Sequence, residues 1–312
     1  MGNRSKFLSS ALYGYPRTLE QKMLEDSSLS KETAKSIISS YREIIKQFPK
    51  DNVTADARYR IAMISFDYLG DDKTAIEELN NVTKQFPKQR ITAAAMNQLS
   101  RIYLLKENQD SAEKILNYII RNYNQIASEE VLSAKFNLAE MLFYKGEIDS
   151  AKVLYMELSD NSNSDITNDA IERLILIEQN KELIRGLTLF ANALYLDKKK
   201  LYNDAIGKLR ETIELTQGTN LAERSYILTA EILFRQSRYD STLSVISEFF
   251  RENPKSIYYD QGLLMQAKSY EQKNNRDKAI ESYQQIITEY PRSVYLQEAR
   301  NRIKKLREQN NL

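Results

Sequence analysis

The sequence predicts an all-α chain, a solenoid of stacked antiparallel helix hairpins about seven units long. Three observations carry that expectation. A hairpin phrase recurs with its apolar, aromatic and proline positions in register, as in Ile37-Ile-Ser-Ser-Tyr-Arg-Glu-Ile-Ile-Lys-Gln-Phe-Pro49, Ala75-Ile-Glu-Glu-Leu-Asn-Asn-Val-Thr-Lys-Gln-Phe-Pro87 and Ala279-Ile-Glu-Ser-Tyr-Gln-Gln-Ile-Ile-Thr-Glu-Tyr-Pro291. Within each phrase the apolar residues stand three and four apart, the period of one helix face. Helix breakers are scarce, 8 Gly and 5 Pro in 312 residues, so helices joined by short turns fit the composition.

In chain order, residues 1–30 carry Gly14, Pro16 and several Ser, and read as an irregular segment with a short helix at Thr18–Glu25. Ser30 is placed to cap the first regular helix. Residues 31–160 form an N-terminal array and residues 182–292 a C-terminal one. The small residue opening each second helix falls at Ile37, Ala75, Ala112, Ala151, Ala205, Thr242 and Ala279. Four residues on stands a large side chain, Tyr41, Leu79, Leu116, Tyr155, Leu209, Ile246 and Tyr283. Three further stands another, of which Thr212 alone is polar. Neither helix of a hairpin can bury its apolar stripe alone, so neighbours must stack. The intervals are 37 to 39 residues except one of 54, between Ala151 and Ala205. An extra helix at Asp165–Asn180 accounts for the excess, and residues 161–181 are either a hinge or a diverged repeat. The polar run before it spaces Asp160, Ser162 and Ser164 like early calcium-loop ligands, but lacks the required Gly and ends at Ile171 instead of Glu. Residues 293–312 place Leu296, Ala299, Ile303 and Leu306 on one stripe of a charged helix, which reads as a cap.

Composition narrows function. The net charge is +2, from 45 basic and 43 acidic residues, which disfavours nucleic acid as a partner. With neither Cys nor His, thiolate chemistry, cysteine metal sites and the commonest general base are absent. No nucleophile–base pair or glycine-rich phosphate loop is present. The chain is expected to be no enzyme, with no cofactor, metal or small-molecule substrate. No stretch approaches the roughly 20 apolar residues of a bilayer span, so no membrane insertion is expected. The first ten residues lack the apolar region of a signal peptide.

The aligned positions resemble the tetratricopeptide repeat family, with its patterned first helix, Ala-opened second helix and closing Pro, over roughly residues 33–312. The resemblance implies a right-handed superhelix. The units run about three residues longer than the family's usual period, the excess lying in phrases such as Phe48-Pro-Lys-Asp-Asn-Val-Thr-Ala. That feature resembles the bacterial cell-envelope branch, which includes the outer-membrane-assembly lipoprotein and the coordinator associated with the Tol–Pal system. The branch implies a periplasmic or outer-membrane-associated protein if a leader has been removed, and a cytoplasmic one otherwise.

The resemblance also implies a non-catalytic scaffold that takes a peptide or protein partner on the concave face lined by first helices. Carried over position by position, that face includes Arg60, Ile64, Asp67, Tyr68, Asn97, Arg101, Leu104, Phe136, Glu140, Phe143 and Tyr144, then Phe190, Leu194, Ile227, Glu231, Phe234, Arg235, Leu264 and Lys268. Aromatic and Arg side chains are the usual interface anchors. Packing between hairpins is the competing role for each Phe. The Lys/Asn carboxylate clamp of the chaperone-binding subgroup is missing, which favours apolar or extended segments. The alternative function is a structural subunit of an envelope complex, docked through its ends or convex face. The basic cluster Arg300, Arg302, Lys304, Lys305 and Arg307 motivates it, although a solvated helix C-terminus accounts for the same residues.

Overall fold

The computed structural model describes residues 2–25, 30–160 and 165–308. Among them all regular structure is helical: α1 (Gly2–Glu25), α2 (Lys31–Gln47), α3 (Asn52–Ile64), a π-helical turn (Ser65–Leu69), α4 (Asp72–Gln85), α5 (Arg90–Leu105), α6 (Gln109–Asn122), α7 (Ser128–Lys145), α8 (Ile148–Ser159), α9 (Asp165–Gln179), α10 (Ile184–Lys198), α11 (Tyr202–Leu215), α12 (Asn220–Arg235), α13 (Tyr239–Glu252), α14 (Tyr259–Gln272), α15 (Arg276–Glu289) and α16 (Leu296–Glu308). The chain divides into two compact units, residues 1–141 with 153–171, and residues 142–152 with 172–312. In the first, α1–α2, α3–α4 and α5–α6 pair as hairpins, with α2 packed on α3 and α4 on α5. In the second, α10–α11, α12–α13 and α14–α15 do the same, and α16 covers α15. Residues 161–164, with Ser162 and Ser164 of the calcium-like spacing and the start of the expected hinge, lie outside the described residues.

The aligned stripe is the core. Ile37, Ala75, Ala112, Ala151, Ala205, Thr242 and Ala279 are all buried, and so are the large residues that follow them, from Tyr41 to Tyr283. Ala at the crossing lets two helices approach closely. Thr212 joins this core without an unpaired polar atom, because its hydroxyl donates to the Lys208 carbonyl at 2.8 Å.

Residues 2–25 correct the expectation of an irregular segment over 1–30, of which residues 1 and 26–29 lie outside the described residues. Gly2–Glu25 is one helix with Pro16 inside it. It is the first helix of the first hairpin: Tyr13, Leu19 and Met23 pack on Ile37, Ile38, Tyr41 and Ile44 of α2. Pro16 forgoes the bond to the Leu12 carbonyl, a loss that packing outweighs.

The described turns from α3 onward inside the hairpins share one device. A residue in the left-handed region precedes the second helix at Gly70 (φ 68°), Glu107 (62°), Gly146 (83°), Lys200 (61°), Ser237 (59°) and Asn274 (56°). The next N–H reaches back five residues, as from Asn108 to Tyr103, Arg238 to Leu233 and Asn275 to Tyr270, closing the first helix. Side chains then cap the second helix, with Asp71 accepting from Thr74 N–H at 3.0 Å and Asn108 from Ser111 N–H at 3.2 Å. The α3–α4 turn alone in this set bonds six residues back, Asp71 N to Ser65 O at 2.8 Å, because the π-turn inserts a residue.

The longer closing phrases have a role between hairpins. Phe48 and Phe86 end α2 and α4, and their carbonyls accept the hydroxyls of the fully buried Thr54 and Thr92. The Thr of each Val/Ile-Thr-Ala lead-in thus fixes the angle at which the next first helix starts.

Candidate groove on the first helices

In the first unit the π-turn re-aims the end of α3 and leaves Asp67 and Tyr68 exposed. Arg101 of α5 donates to Asp67 at 3.3 Å and lies 5.4 Å from the Phe66 ring, so Asp67, Tyr68 and Arg101 form one accessible patch. The other expected residues here turn inward. Arg60 reaches Glu20 of α1 at 3.6 Å. Asn97 is buried and donates its amide to the Glu130 carbonyl at 2.9 Å. Glu140 is buried and accepts the Tyr155 hydroxyl at 2.7 Å, with Phe136 tilted against the Tyr155 ring at 5.9 Å. Asn97 and Glu140 therefore hold hairpins together and present no polar atom to a ligand, unlike the expectation for them. The Glu140 carboxylate is satisfied by Tyr155, whereas Asn97 bonds through its amide nitrogen alone and keeps its Oδ1 buried without a protein partner.

In the second unit Phe143 is likewise corrected from contact to core. It is fully buried, with the Arg173 guanidinium 5.7 Å from its ring. Tyr144 is nearly so, stacked on Tyr195 at 5.6 Å with Lys198 Nζ 5.3 Å from its ring. Phe234 packs edge-on to Tyr239 at 5.4 Å. Arg235 is exposed and meets both carboxylate oxygens of Asp197 at 2.7 Å, and Lys268 pairs with Glu298 at 2.9 Å.

Phe190, Leu194, Ile227 and Glu231 converge. They line a groove of about 430 Å³ with Glu172 and Arg173 from α9, Arg224 and Leu228 from α12, and Tyr258 and Gln261 at the start of α14. Its floor is apolar, from Phe190 and Leu194 on α10 and Ile227 and Leu228 on α12. Its rim is charged. Arg224 pairs with Glu172 at 2.9 Å. Glu231 is half-buried and accepts from Gln261 Nε2 at 3.0 Å. Burial raises the Glu231 carboxyl above the ordinary carboxylate range, against the opposing pull of the Gln261 bond and Arg235. Arg224 and Leu228 were legible in principle, since they stand seven and three residues before Glu231 on the same face of α12. Glu172 and Arg173 come from the inserted helix, whose packing no repeat register supplies.

This arrangement offers an apolar floor, fixed hydrogen-bonding groups at its edges and little hidden chemistry. Among the described residues no group of three or more acidic side chains is placed to hold a metal ion. Nor is any helix there long and apolar enough to cross a membrane.

Among solved structures the chain is similar to a tetratricopeptide repeat protein from Parabacteroides merdae, at 11% identity, covering 95% of this chain and 99% of that one with a TM-score of 0.37. It is similar to pilF of Pseudomonas aeruginosa at 15% identity, covering 80% and 97% with a TM-score of 0.31. It is also similar to yeast Tom70 at 13% identity, covering 100% and 62% with a TM-score of 0.36. No curated protein matches the sequence. The tetratricopeptide repeat model matches residues 56–88 and 261–293, which are the α3–α4 and α14–α15 hairpins. The chain carries tetratricopeptide repeats, one matched hairpin in each of its compact units.

Proposed function

We propose that the protein is a non-catalytic scaffold that docks a peptide or protein segment in the groove formed by α9, α10, α12 and α14. The observation that carries this reading is the apolar floor of Phe190, Leu194, Ile227 and Leu228 inside a rim of fixed charges. A segment entering it buries apolar side chains against helices that are already ordered, so little conformational entropy is lost on the scaffold's side. Of the residues expected on the first-helix faces, Phe190, Leu194, Ile227 and Glu231 are among those that line this groove. Asp67, Tyr68 and Arg101 form the accessible patch in the first. A photo-crosslinking residue at 228 should trap a discrete partner in living cells, while the same residue at exposed position 211 on α11 should not. Equal adducts at both positions would remove the groove from consideration.

A second reading is favoured by a different observation. On α1, Phe7, Leu8, Leu12 and Tyr15 are exposed along one side, Phe7 by 78% and Tyr15 by 67%. Such a row suits a structural subunit of a bacterial envelope complex, periplasmic or outer-membrane-associated, docked through its N-terminal end. Under that reading Phe7→Ser with Tyr15→Ser abolishes assembly and Leu228→Glu leaves it intact. The reverse pattern supports the groove.

A further inference from the structure

We infer that the groove, on the reading that it docks a peptide, selects segments in which a lysine or arginine lies within two residues of an apolar anchor, the cation pairing with Glu231. Glu231 is a half-buried carboxylate whose hydrogen bond comes from a neutral amide, Gln261 at 3.0 Å. The basic side chains around it are committed elsewhere. Arg235 gives its guanidinium to Asp197 at 2.7 Å, Arg224 to Glu172 at 2.9 Å, and Lys268 its ammonium to Glu298 at 2.9 Å. Arg173, at the far rim, lies over Phe143.

Several carboxylates act together at this end, with Arg235 opposing them at Glu231. Asp260, Glu231 and Glu298 all push the Tyr295 phenol upward, added to the effect of its burial. A ligand carboxylate would meet those carboxylates unfavourably, and a ligand ammonium or guanidinium would complete a charge-assisted hydrogen bond in a partly dry site. The apolar contact is close by. Ile227 and Leu228 stand four and three residues before Glu231, one turn along α12. Side chains so spaced are about 5–6 Å apart, the reach of adjacent or next-but-one residues in an extended segment rising about 3.3 Å per residue.

Phage-displayed random dodecapeptides panned on the full-length chain test this directly. Wild-type binders are expected to be enriched in Lys or Arg within two positions of Leu, Ile or Phe. A selected peptide should lose affinity about 10-fold when that basic residue becomes Gln, the size of one charge-assisted bond. Glu231→Gln should keep the apolar preference and lose the basic one. Leu228→Glu should lose both, with Leu194→Ser as its substitute if Leu228→Glu lowers helicity. Binders that are apolar but neutral or acidic, or a basic preference that survives Glu231→Gln, overturn the charge selection and leave the groove reading standing. Binders indifferent to both Leu228→Glu and Leu194→Ser, or no enrichment at all, overturn the groove reading and this inference with it.

Discussion

Tyr41 of α2 donates its hydroxyl to Glu20 of α1 across 2.7 Å, and the same carboxylate receives Arg17 at 3.1 Å and Arg60 of α3 at 3.6 Å. At the other end Tyr283 of α15 donates to Glu271 of α14 at 2.9 Å, with Arg302 of α16 3.8 Å away. In both terminal hairpins a core tyrosine, an acid on the preceding helix and an arginine from a neighbouring helix form one polar knot. Tyr41→Phe removes the short bond and leaves Glu20 buried with its arginines. The expected cost is about 1–3 kcal/mol, the range for stranding a buried acceptor. Urea unfolding followed by circular dichroism measures it. A cost within error of zero would mean that the arginines alone satisfy Glu20.

Burial raises the Tyr41 and Tyr283 phenols far above the free value of 10.0, and their bonds to Glu20 and Glu271 add to it. The Tyr226 phenol is pushed up to about 12, by burial first and then by Glu248. A raised phenol contributes stability that is complete below the unfolded-state value and is lost as pH climbs past it. With no histidine to titrate, stability should change little between pH 6 and 8 and fall above about pH 10. The check is a series of thermal melts against pH. In Tyr41→Phe/Tyr283→Phe the alkaline fall should be shallower. An equally steep fall in that double variant would assign it to other groups.

Glu231 has the opposite consequence at neutral pH. Its carboxyl is raised chiefly by burial, so the folded protein disfavours the charged form and loses stability as pH rises through the carboxylate range. Glu231→Gln should therefore unfold at higher urea than wild type at pH 7, with the gap closing near pH 4. A destabilised Glu231→Gln at pH 7 would show that the Gln261 bond outweighs desolvation. The stabilising outcome marks a charge kept at a cost to the fold, as expected of a binding group.

Lys200 and Ser237 hold left-handed backbone at φ 61° and 59° where Gly70 and Gly146 occupy the same place in other hairpins. A side chain there costs more than the conformational freedom that glycine would add to the unfolded chain. Lys200→Gly and Ser237→Gly should each stabilise by up to about 1 kcal/mol. Paired denaturation curves would expose an error here as a loss of stability in both.

The repeat was legible because its signal is burial at fixed spacing, and every aligned small residue from Ile37 to Ala279 lies in the core. Helix α1 was not, because Gly14 and Pro16 read as breakers and Glu20, its central core contact, reads as a surface charge. The π-turn left no trace either, since one inserted residue changes no residue type. In the groove, Phe190, Leu194, Ile227 and Glu231 came from carrying the family's concave-face positions onto this repeat register. Leu228 sits at the edge of the face and was passed over, and Glu172 and Arg173 belong to a helix outside the repeat. Phe143 looked like an anchor because a ring on a first helix has the same pattern whether it faces a ligand or a neighbour.

The Glu20 knot ties side chains from α1, α2 and α3 to one carboxylate, and this makes the first helix inseparable from the repeats. Excising residues 1–29 would uncover Ile37, Ile38 and Tyr41, at about 2 kcal/mol for each apolar side chain returned to water, and would leave an adhesive surface at the start of α2. The smallest piece of this protein that keeps its first core covered therefore begins before Tyr13, although the recognisable repeat phrase starts more than twenty residues later.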